Sequence, residues 1–457
     1  MKRLLITTLA EYQTIFWLAV GKHLRALGHP VAFLSFDDRS SDMLVTHDFK
    51  VYSAVPRTQS ADNNHEAIFQ QFGVTHLNHW LSHERFAFGI TNTPSQLRRF
   101  SEILNIADAA CRDWGSNGDV VLIQELGGFL SVVGSYFAAR RNNIDNWFIE
   151  PSFFRGRMFF LRNHFSALKV SDSYTGIIPD DVLNYLNETL QKGTIVIPKK
   201  DSHQYTTAFK KIINFRNARR LLQKLIDKYI HQKKQEFGHI GSYVLTHMRM
   251  LWSSYKLRSQ YSDIGDGGNF IYYPLHVPGD MALTLRSPHL LDQLSLIDIL
   301  CRSVPVSHKI AIKEHPAMIG AVDCRRLREL LRRYDNLHLL SPSINNYEVI
   351  RKAAAVVSIN SKSGAEAALL GKPVLVLGDA FYGASPLVHK LNNIQDLPSA
   401  LSTLLNQSQK KITREMIERY FAAVWFHSCP GELYVDDPDN VRIFSQSLIE
   451  AITKNQP

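Results

Sequence analysis

One stretch of the chain, residues 356–379 (VVSINSKSGAEAALLGKPVLVLGD), combines an apolar strand with a polar helix start. The helix is predicted to open with Ser361, Lys362, Ser363 and Gly364. Free backbone N–H groups at a helix N-terminus, hydroxyls and a lysine charge together favour an anion such as phosphate. Glu366 lies one turn inside, where its carboxylate can accept hydrogen bonds from both ribose hydroxyls. The same residues also fit an ordinary capping box, with Ser363 as N-cap and Glu366 as its partner.

A second polar group follows the apolar run that ends in Ile312-Lys313-Glu314-His315-Pro316. Pro316 stops the strand, so His315 is predicted at its carboxyl end, where ligands bind in open α/β sheets. A histidine there can contact a phosphate or protonate a leaving group, with Lys313 beside it. A purely structural histidine is the alternative at this position.

A third strand is predicted to end in the loop Tyr273-Pro-Leu-His276-Val-Pro-Gly-Asp280. The loop directs Asp280, and with it His276, towards the same crevice. A carboxylate in such a place can serve as a nucleophile or a base. An aspartate that merely completes a turn beside a glycine is the alternative.

The first half of the chain has its own carboxylate at a strand end, Glu150 in FIEP, followed by Arg155 and Arg157. Such a glutamate can act as acid or base, and the arginines can bind an anionic sugar or acceptor. One strand earlier, the loop QELGG contains Gly127, which permits either close backbone approach to a ligand or a tight turn.

The elements that must position these residues alternate between strand and helix in two separate regions. Such alternation predicts doubly wound parallel sheets, hence an α/β fold of two Rossmann-like domains that face a cleft. We predict an acceptor-side domain at 1–160, a basic helical insertion at 161–265, a nucleotide-sugar domain at 266–410 and C-terminal helices at 411–457.

Charge and composition narrow the class of protein. The net charge is +10, and residues 199–260 contain 14 lysines and arginines against three acidic residues. Without a nucleic-acid-binding motif, this basic stretch favours an anionic membrane surface or a lipid-linked substrate, or it is a solvated helical face. The four scattered cysteines and the lack of a long apolar run predict a cytoplasmic protein, peripheral at most on the inner face of the inner membrane.

Several motifs are absent from the sequence. There is no phosphate-binding GxxxxGK[ST] loop and no GxGxxG after the first strand, which argues against an NTPase or a dehydrogenase. No residue spacing indicates a metal site, so we expect no metal and no cofactor. Histidine, lysine, serine and a helix dipole would then stabilise a phosphate.

The motifs KEHP and NSKSGAEAALLGKP resemble those of the bacterial capsule polysaccharide biosynthesis family, which includes the retaining β-Kdo glycosyltransferases of the GT-B type. The resemblance implies transfer of Kdo from CMP-Kdo to an oligosaccharide or lipid-linked glycan. It further implies that His315 and residues 361–363 bind the CMP phosphate, that Glu366 lies near the ribose and that Asp280 is the nucleophile of a double displacement. Glu150 then corresponds to the acid/base on the acceptor side.

Two other functions remain open from the sequence. One is a transferase of the same fold that uses another nucleotide sugar. The other is a non-catalytic protein that binds glycans or serves as a scaffold.

Overall fold

The computed structural model describes residues 2–54, 64–116, 118–192, 226, 230–265, 269–406 and 412–454. Much of the basic stretch 199–260 therefore lies outside the described residues. Within them the chain forms two sheets of seven strands each.

The first sheet has the strand order β14-β6-β5-β4-β1-β2-β3, and its inner strands are parallel. Only β6 and β14 run antiparallel to their neighbours. The elements of this half are β1 (Arg3–Thr8), α1 (Glu11–Ala26), β2 (Val31–Ser35), α2 (Asp38–Thr46), β3 (Lys50–Ser53), α3 (His65–Gln71), α4 (Leu77–Phe88), α5 (Thr93–Gly115), β4 (Val120–Glu125), α6 (Leu130–Arg141), β5 (Asp145–Pro151) and β6 (Arg157–Arg162).

The second sheet has the order β13-β12-β11-β8-β9-β10-β7, and all its described pairings are parallel. The remaining elements are α7 (Asp180–Lys192), α8 (Ile240–Leu257), β7 (Tyr261–Ser262), β8 (Phe270–Pro274), α9 (Met281–Thr284), α10 (Gln293–Ser303), β9 (Lys309–Lys313), α11 (Cys324–Arg333), β10 (Leu337–Leu340), α12 (Asn346–Lys352), β11 (Ala355–Ser358), α13 (Lys362–Leu369), β12 (Val374–Val376), β13 (His389–Lys390), α14 (Leu397–Leu405), α15 (Arg414–Phe426), β14 (Cys429–Pro430) and α16 (Pro438–Lys454).

The central strands are apolar because helices cover both faces of each sheet. Neighbouring residues of β1 show this: Leu5 packs into one core of the first domain and Leu4 and Ile6 pack into the other. Successive strand side chains point to opposite faces, so a run without polar positions requires two cores. The predicted pair of doubly wound, Rossmann-like α/β domains in a GT-B-like arrangement is thus confirmed.

The C-terminal elements return to the first domain. Helix α15 lies against the aromatic residues that follow β5, and the rings of Phe153 and Phe421 are 5.0 Å apart. Strand β14 then pairs with β6, and α16 packs on α1 with Phe444 5.1 Å from Phe16. The last helix therefore stabilises the first domain, although it is the most distant segment in sequence.

The sheets extend slightly beyond the domain limits predicted from the sequence. Strand β6 runs to Arg162, two residues beyond the predicted end of the first domain. Strand β7, at Tyr261–Ser262, joins the second sheet from within the predicted insertion. Helices α7 and α8 are the described helical part of that insertion.

Candidate active site

Three strands with polar residues at their carboxyl ends lie side by side in the second sheet. Strand β8 is hydrogen-bonded to β11 on one side and to β9 on the other. The amide of Leu275 donates to the carbonyl of Lys313 at 3.0 Å, so the loops after β8 and β9 begin at the same edge. Because parallel strands place their carboxyl ends together, the three sequence motifs meet at the edge predicted for them.

Asp280 is exposed and begins the short helix α9. Its carboxylate oxygen Oδ1 accepts the amide of Ala282 at 3.0 Å, which makes it the N-cap. The structural role that the sequence offered as the alternative for Asp280 is therefore that of a helix N-cap. An exposed carboxylate with one oxygen held in place is also compatible with nucleophilic chemistry.

Two buried histidines lie within electrostatic reach of Asp280. Burial lowers the pKa of His276 to about 4, the Asp280 carboxylate opposes this shift, and His315 adds to it. Burial likewise lowers the pKa of His83 to about 4, again against the effect of Asp280. His276 therefore interacts electrostatically with both Asp280 and His315.

His276 is rigidly placed but has an unused ring nitrogen. Its backbone N–H and C=O both bond to the side-chain amide of Gln293, at 2.8 and 3.1 Å. Within the described part of the chain, its buried Nε2 atom has no hydrogen-bond partner. A neutral imidazole with an unsatisfied buried nitrogen is the kind of group that a bound ligand completes.

His83, on α4 of the first domain, was not identified from the sequence. Its Nδ1 atom lies 3.0 Å from the hydroxyl of Thr284, so it contacts the helix that Asp280 caps. Gly128 lies directly beneath it, and a Cβ atom at Gly128 would come within 2.4 Å of the ring. The only sequence signal was the glycine pair 127–128, which allows this close approach.

His315 begins a short 3-10 helix directly after β9. Its Nδ1 atom accepts the amide of Ala317 at 3.2 Å. A neutral imidazole that accepts at Nδ1 has its proton on Nε2, so His315 can donate a hydrogen bond from that side. This is the proton that a phosphate oxygen would accept.

Helix α13 begins as predicted, but its cap is Ser361 and not Ser363. The hydroxyl of Ser361 accepts the amide of Ser363 at 3.2 Å. The capping-box alternative is therefore wrong, because Ser363 already lies inside the helix and Glu366 is one turn beyond it. Gly364 is required here, since a Cβ atom would lie 2.2 Å from the hydroxyl of Tyr382.

A buried polar network lies under this helix start. The side-chain amide of Asn346 donates to the hydroxyl of Ser363 at 3.0 Å and to Glu366 at 2.6 Å. Burial raises the pKa of Glu366 to about 7, and it lowers the pKa of Lys313 to about 8. Lys313 donates to the carbonyl of Ile344 at 2.6 Å, so in this structure its ammonium is held inside the domain.

Three cationic candidates line one small cavity between the domains. Lys362, Arg155 and Arg157, together with the loop after β5, line a recess of about 10 Å³, which is barely enough for one water molecule. Lys362 donates to the carbonyl of Ser152 at 2.9 Å, which connects the start of α13 to the first domain.

Glu150 is engaged in the structure. It forms a two-pronged ion pair with Arg286, with distances of 3.0 and 2.9 Å. The same guanidinium donates to the carbonyl of Phe165 at 2.8 Å. The carboxylate thus connects the first domain to the loop that follows Asp280 and α9.

The two arginines after β5 differ in their surroundings. Arg157 donates to Ser428 at 2.8 Å and lies over the ring of Trp425 at 4.3 Å, so it holds the C-terminal segment. The side chain of Arg155 is exposed. A Cβ atom at Gly127 would lie 3.5 Å from the ring of Phe129, an ordinary contact distance.

The described residues lack two further features. No group of three or more histidine, cysteine, aspartate or glutamate side chains within them is placed to hold a metal ion. No described helix is both long and apolar enough to cross a membrane.

Several known proteins resemble this chain. Protein FixF of Sinorhizobium fredii is 36% identical over 135 residues, which are 29% of this chain and 32% of that protein. The match thus spans about a third of the length of this curated relative.

Among solved structures, the beta Kdo 2,7 transferase of Thermosulfurimonas dismutans KpsC has a TM-score of 0.36 and 15% identity, covering 76% of this chain and 90% of that one. The beta Kdo 2,4 transferase of the same protein has a TM-score of 0.33 and 13% identity, covering 73% and 87%. A UDP-GlcNAc 2-epimerase from Methanocaldococcus jannaschii has a TM-score of 0.26 and 11% identity, covering 93% and 100%.

The sequence pattern of one family matches residues 133–423, which is more than half of the chain and includes the three motifs at the cleft. This protein therefore belongs to the family of capsule polysaccharide biosynthesis proteins.

Proposed function

We propose that this protein is a retaining glycosyltransferase that moves Kdo from CMP-Kdo to a sugar hydroxyl of a cell-surface glycan. The observation that carries the proposal is the exposed carboxylate of Asp280, which caps the helix that His83 of the other domain contacts and which interacts electrostatically with His83 and His276. Each domain of a two-domain transferase supplies part of such a site. We assign the reaction to the cytoplasm, because scattered cysteines without a disulfide pattern favour a reducing compartment.

In the first step, the Asp280 carboxylate attacks the anomeric carbon of the donor. The new C–O bond forms as the bond to the phosphate breaks, and CMP leaves with the bonding electron pair. Burial lowers the pKa values of His83 and His276 to about 4, so both are neutral at physiological pH and neither forms an ion pair with Asp280. A neutral neighbour leaves the carboxylate available as a nucleophile instead of pairing with it.

In the second step, the acceptor hydroxyl attacks the same carbon from the opposite side and Asp280 leaves as a carboxylate. Two inversions give net retention. The hydroxyl proton passes to Glu150 in our assignment. Arg286 uses one lone pair on each oxygen of Glu150, and a carboxylate offers about four acceptor positions in total. Glu150 can therefore accept from a substrate without breaking its ion pair.

The CMP phosphate binds to His315 and the start of α13 in the proposed complex. The Nε2 proton of His315, the hydroxyls of Ser361 and Ser363 and the helix dipole are donors of the kind that a phosphate needs. Lys362 and Lys313 add positive charge nearby, and Glu366 with Asn346 supports the helix start from beneath.

Two alternative functions predict different results in one assay. A transferase of the same fold for another nucleotide sugar would bind a different nucleotide in the same crevice. A non-catalytic glycan-binding protein would bind the glycan and release no nucleotide.

The deciding experiment incubates the full chain with CMP-Kdo and candidate glycan acceptors and follows CMP release. We expect CMP release that depends on acceptor. In the absence of a reactive acceptor, intact-protein mass spectrometry should detect one added Kdo mass, located on Asp280.

The outcomes separate the proposals. CMP release with the adduct on another residue would remove Asp280 as nucleophile but keep the donor. Turnover with a UDP-sugar in place of CMP-Kdo would change the donor. The absence of any turnover, with glycan binding retained, would overturn the enzyme assignment.

A further inference from the structure

Helix α8 exposes an unusual number of large apolar side chains. Its exposed stripe, called here the α8 stripe, consists of Val244, Leu245, Met248, Trp252 and Tyr255. Tyr255 is 73% exposed and Met248 is 64% exposed. Their spacing along the chain places all five on one side of an α-helix. A continuous apolar stripe of this size on a protein surface indicates a binding surface.

The opposite side of α8 is the one that packs on the protein. Met250, Ser253 and Leu257 are buried at positions three and four residues apart. Gly320 approaches so closely that a Cβ atom there would lie 2.1 Å from the carbonyl oxygen of Met250. The α8 stripe is therefore not the inner face of a displaced helix, because the helix already has a packed inner face.

Positive charge borders the α8 stripe. Arg249, Lys256 and Arg258 are exposed on or directly after the helix, and Lys256 lies over the ring of Trp252 at 5.5 Å. The sequence from 237 to 262 contains no aspartate or glutamate. Helix α11, which packs against α8, contains five arginines and a single glutamate, and two of the arginines, Arg326 and Arg333, are ion-paired with Asp292 and Asp298.

This combination identifies the partner by its chemistry. Apolar and aromatic side chains with a border of cations match the boundary between the headgroups and acyl chains of an anionic bilayer. Tryptophan and tyrosine are enriched at that boundary because one end of each side chain is apolar and the other is polar. A protein partner of ordinary composition would instead be met by charges of both signs.

We propose that the α8 stripe and the adjacent cations of α8 and α11 dock the protein on the surface of an anionic phospholipid bilayer. The helix lies in the plane of the interface and does not cross it. The inference does not require Kdo transfer, because vesicle binding is measured without donor or acceptor.

A physical connection links this surface to the candidate active site. Glu314 accepts the hydroxyl of Tyr261, just after α8, at 2.6 Å and the amide of Gly320 at 2.9 Å. His315 is the next residue in the chain. The segment that follows α8 therefore contacts the residue that precedes His315 in the candidate site.

The test is flotation of the full chain with vesicles of phosphatidylcholine and phosphatidylglycerol, and with vesicles of phosphatidylcholine alone. We expect binding to the mixed vesicles that weakens as salt is added, and little binding to the neutral ones. The double variant Trp252→Ser with Tyr255→Ser should lower the affinity about tenfold or more. The variant Arg249→Glu with Lys256→Glu should cause a similar loss and remove the preference for anionic lipid.

Two control variants carry the same kinds of substitution at exposed positions outside the α8 stripe. Val306→Ser removes an exposed apolar side chain elsewhere in the second domain, and Lys454→Glu reverses an exposed charge on α16. Both should bind vesicles as the unaltered protein does. Thermal unfolding checks that each variant folds, and the charge-reversal pair keeps the test valid if the apolar pair does not fold.

Three results would overturn the proposal. They are vesicle binding unaffected by both double variants, equal binding of the unaltered protein to neutral and anionic vesicles, and no binding to either. Sedimentation in the absence of lipid detects a different occupant. If the serine pair dissociates a dimer and leaves vesicle binding intact, the α8 stripe contacts a second copy of the chain and not a membrane.

Discussion

The two domains use their strand-end charged residues differently. In the second domain, the predicted residues after β8, β9 and β11 meet at one edge, and Asp280 is exposed there. In the first domain, Glu150 is paired with Arg286 and Arg157 is bonded to Ser428. The carboxylate at the strand end is thus exposed in the second domain and ion-paired in the first.

The difference follows from which domain supplies the hydrogen-bond or ion-pair partner of each residue. The polar groups under the start of α13 are held by a neighbour in the same domain, since Asn346 bonds to both Ser363 and Glu366. This leaves the edge itself open. Glu150 takes its partner from the other domain, so its main visible role is to connect the two. The comparison teaches that a strand-end carboxylate can be both an interdomain contact and a candidate acid/base.

The largest effect is expected at Asp280. Asp280→Asn should reduce turnover by about a thousandfold or more, because a nucleophile acts mainly as the transition state forms, and it should leave CMP affinity unchanged. Steady-state kinetics and calorimetry measure the two quantities. Asp292→Asn is the matched control, since Asp292 caps α10 in the same way. An active Asp280→Asn enzyme would end the double-displacement proposal.

Glu150 should be the next most sensitive position, and here the effect is on stability. Glu150→Ala leaves the largely buried Arg286 guanidinium without its anion, which should lower the free energy of unfolding by about 3 kcal/mol. Urea unfolding provides the measurement. The exposed Arg155, changed to Ala, should cost less than about 0.5 kcal/mol. Equal losses of unfolding free energy in Glu150→Ala and Arg155→Ala would mean that the ion pair of Glu150 contributes no more to stability than an exposed side chain does.

Glu366 should make stability depend on pH. The pKa of Glu366 in the folded protein is about 7, above its ordinary value of 4.5. Its contribution to the free energy of unfolding is therefore fully present below pH 4.5 and is lost as the pH rises through 7. Glu366→Gln should therefore gain up to about 3 kcal/mol relative to the unaltered protein between these pH values. Urea titrations across that range measure the difference. A difference that does not change with pH would mean that Glu366 is charged throughout.

The Glu366→Gln variant must be compared with the unaltered protein at each pH, because other buried groups titrate in the same range. The buried His83 and His276 have lowered pKa values, so their contribution is present above about 6.5 and is lost as pH falls towards 4. This trend is opposite to that of Glu366. The contribution of the two histidines cancels when the free energy of unfolding of the variant is subtracted from that of the unaltered protein.

The smallest effect is expected for donor binding. His315→Ala and Ser363→Ala should each weaken CMP binding by about 1–3 kcal/mol, since each removes one hydrogen bond to a charged phosphate. Calorimetry tests this, with Ser343→Ala as a control hydroxyl in the loop after β10. Unchanged CMP affinity in both variants would leave the anion site without support, and the second domain would then resemble the first.

The sequence predicted most of the fold. Alternating apolar strands and helices require parallel sheets covered on both faces, and such sheets place their strand ends together. For that reason KEHP, the loop to Asp280 and the start of α13 were correctly assigned to one edge. The capping-box alternative placed the cap at Ser363 because Ser361 and Ser363 are chemically equivalent, and only the backbone decides which of them precedes the helix.

The partners of these residues could not be predicted. Thr284 lies 201 positions from His83, and Arg286 lies 136 positions from Glu150. Nothing in the local pattern of α4 distinguishes His83 from other helical histidines. Its lowered pKa and its place beside Asp280 arise only because two domains close over it.

Local periodicity, turn residues and helix starts are properties of neighbouring residues, so the sequence alone determined the elements and the edge where they end. The tertiary structure alone decided which charges are paired, which histidines are neutral and which apolar stripe stays exposed on α8. These depend on desolvation and on contacts between distant segments, and both exist only after the chain has packed.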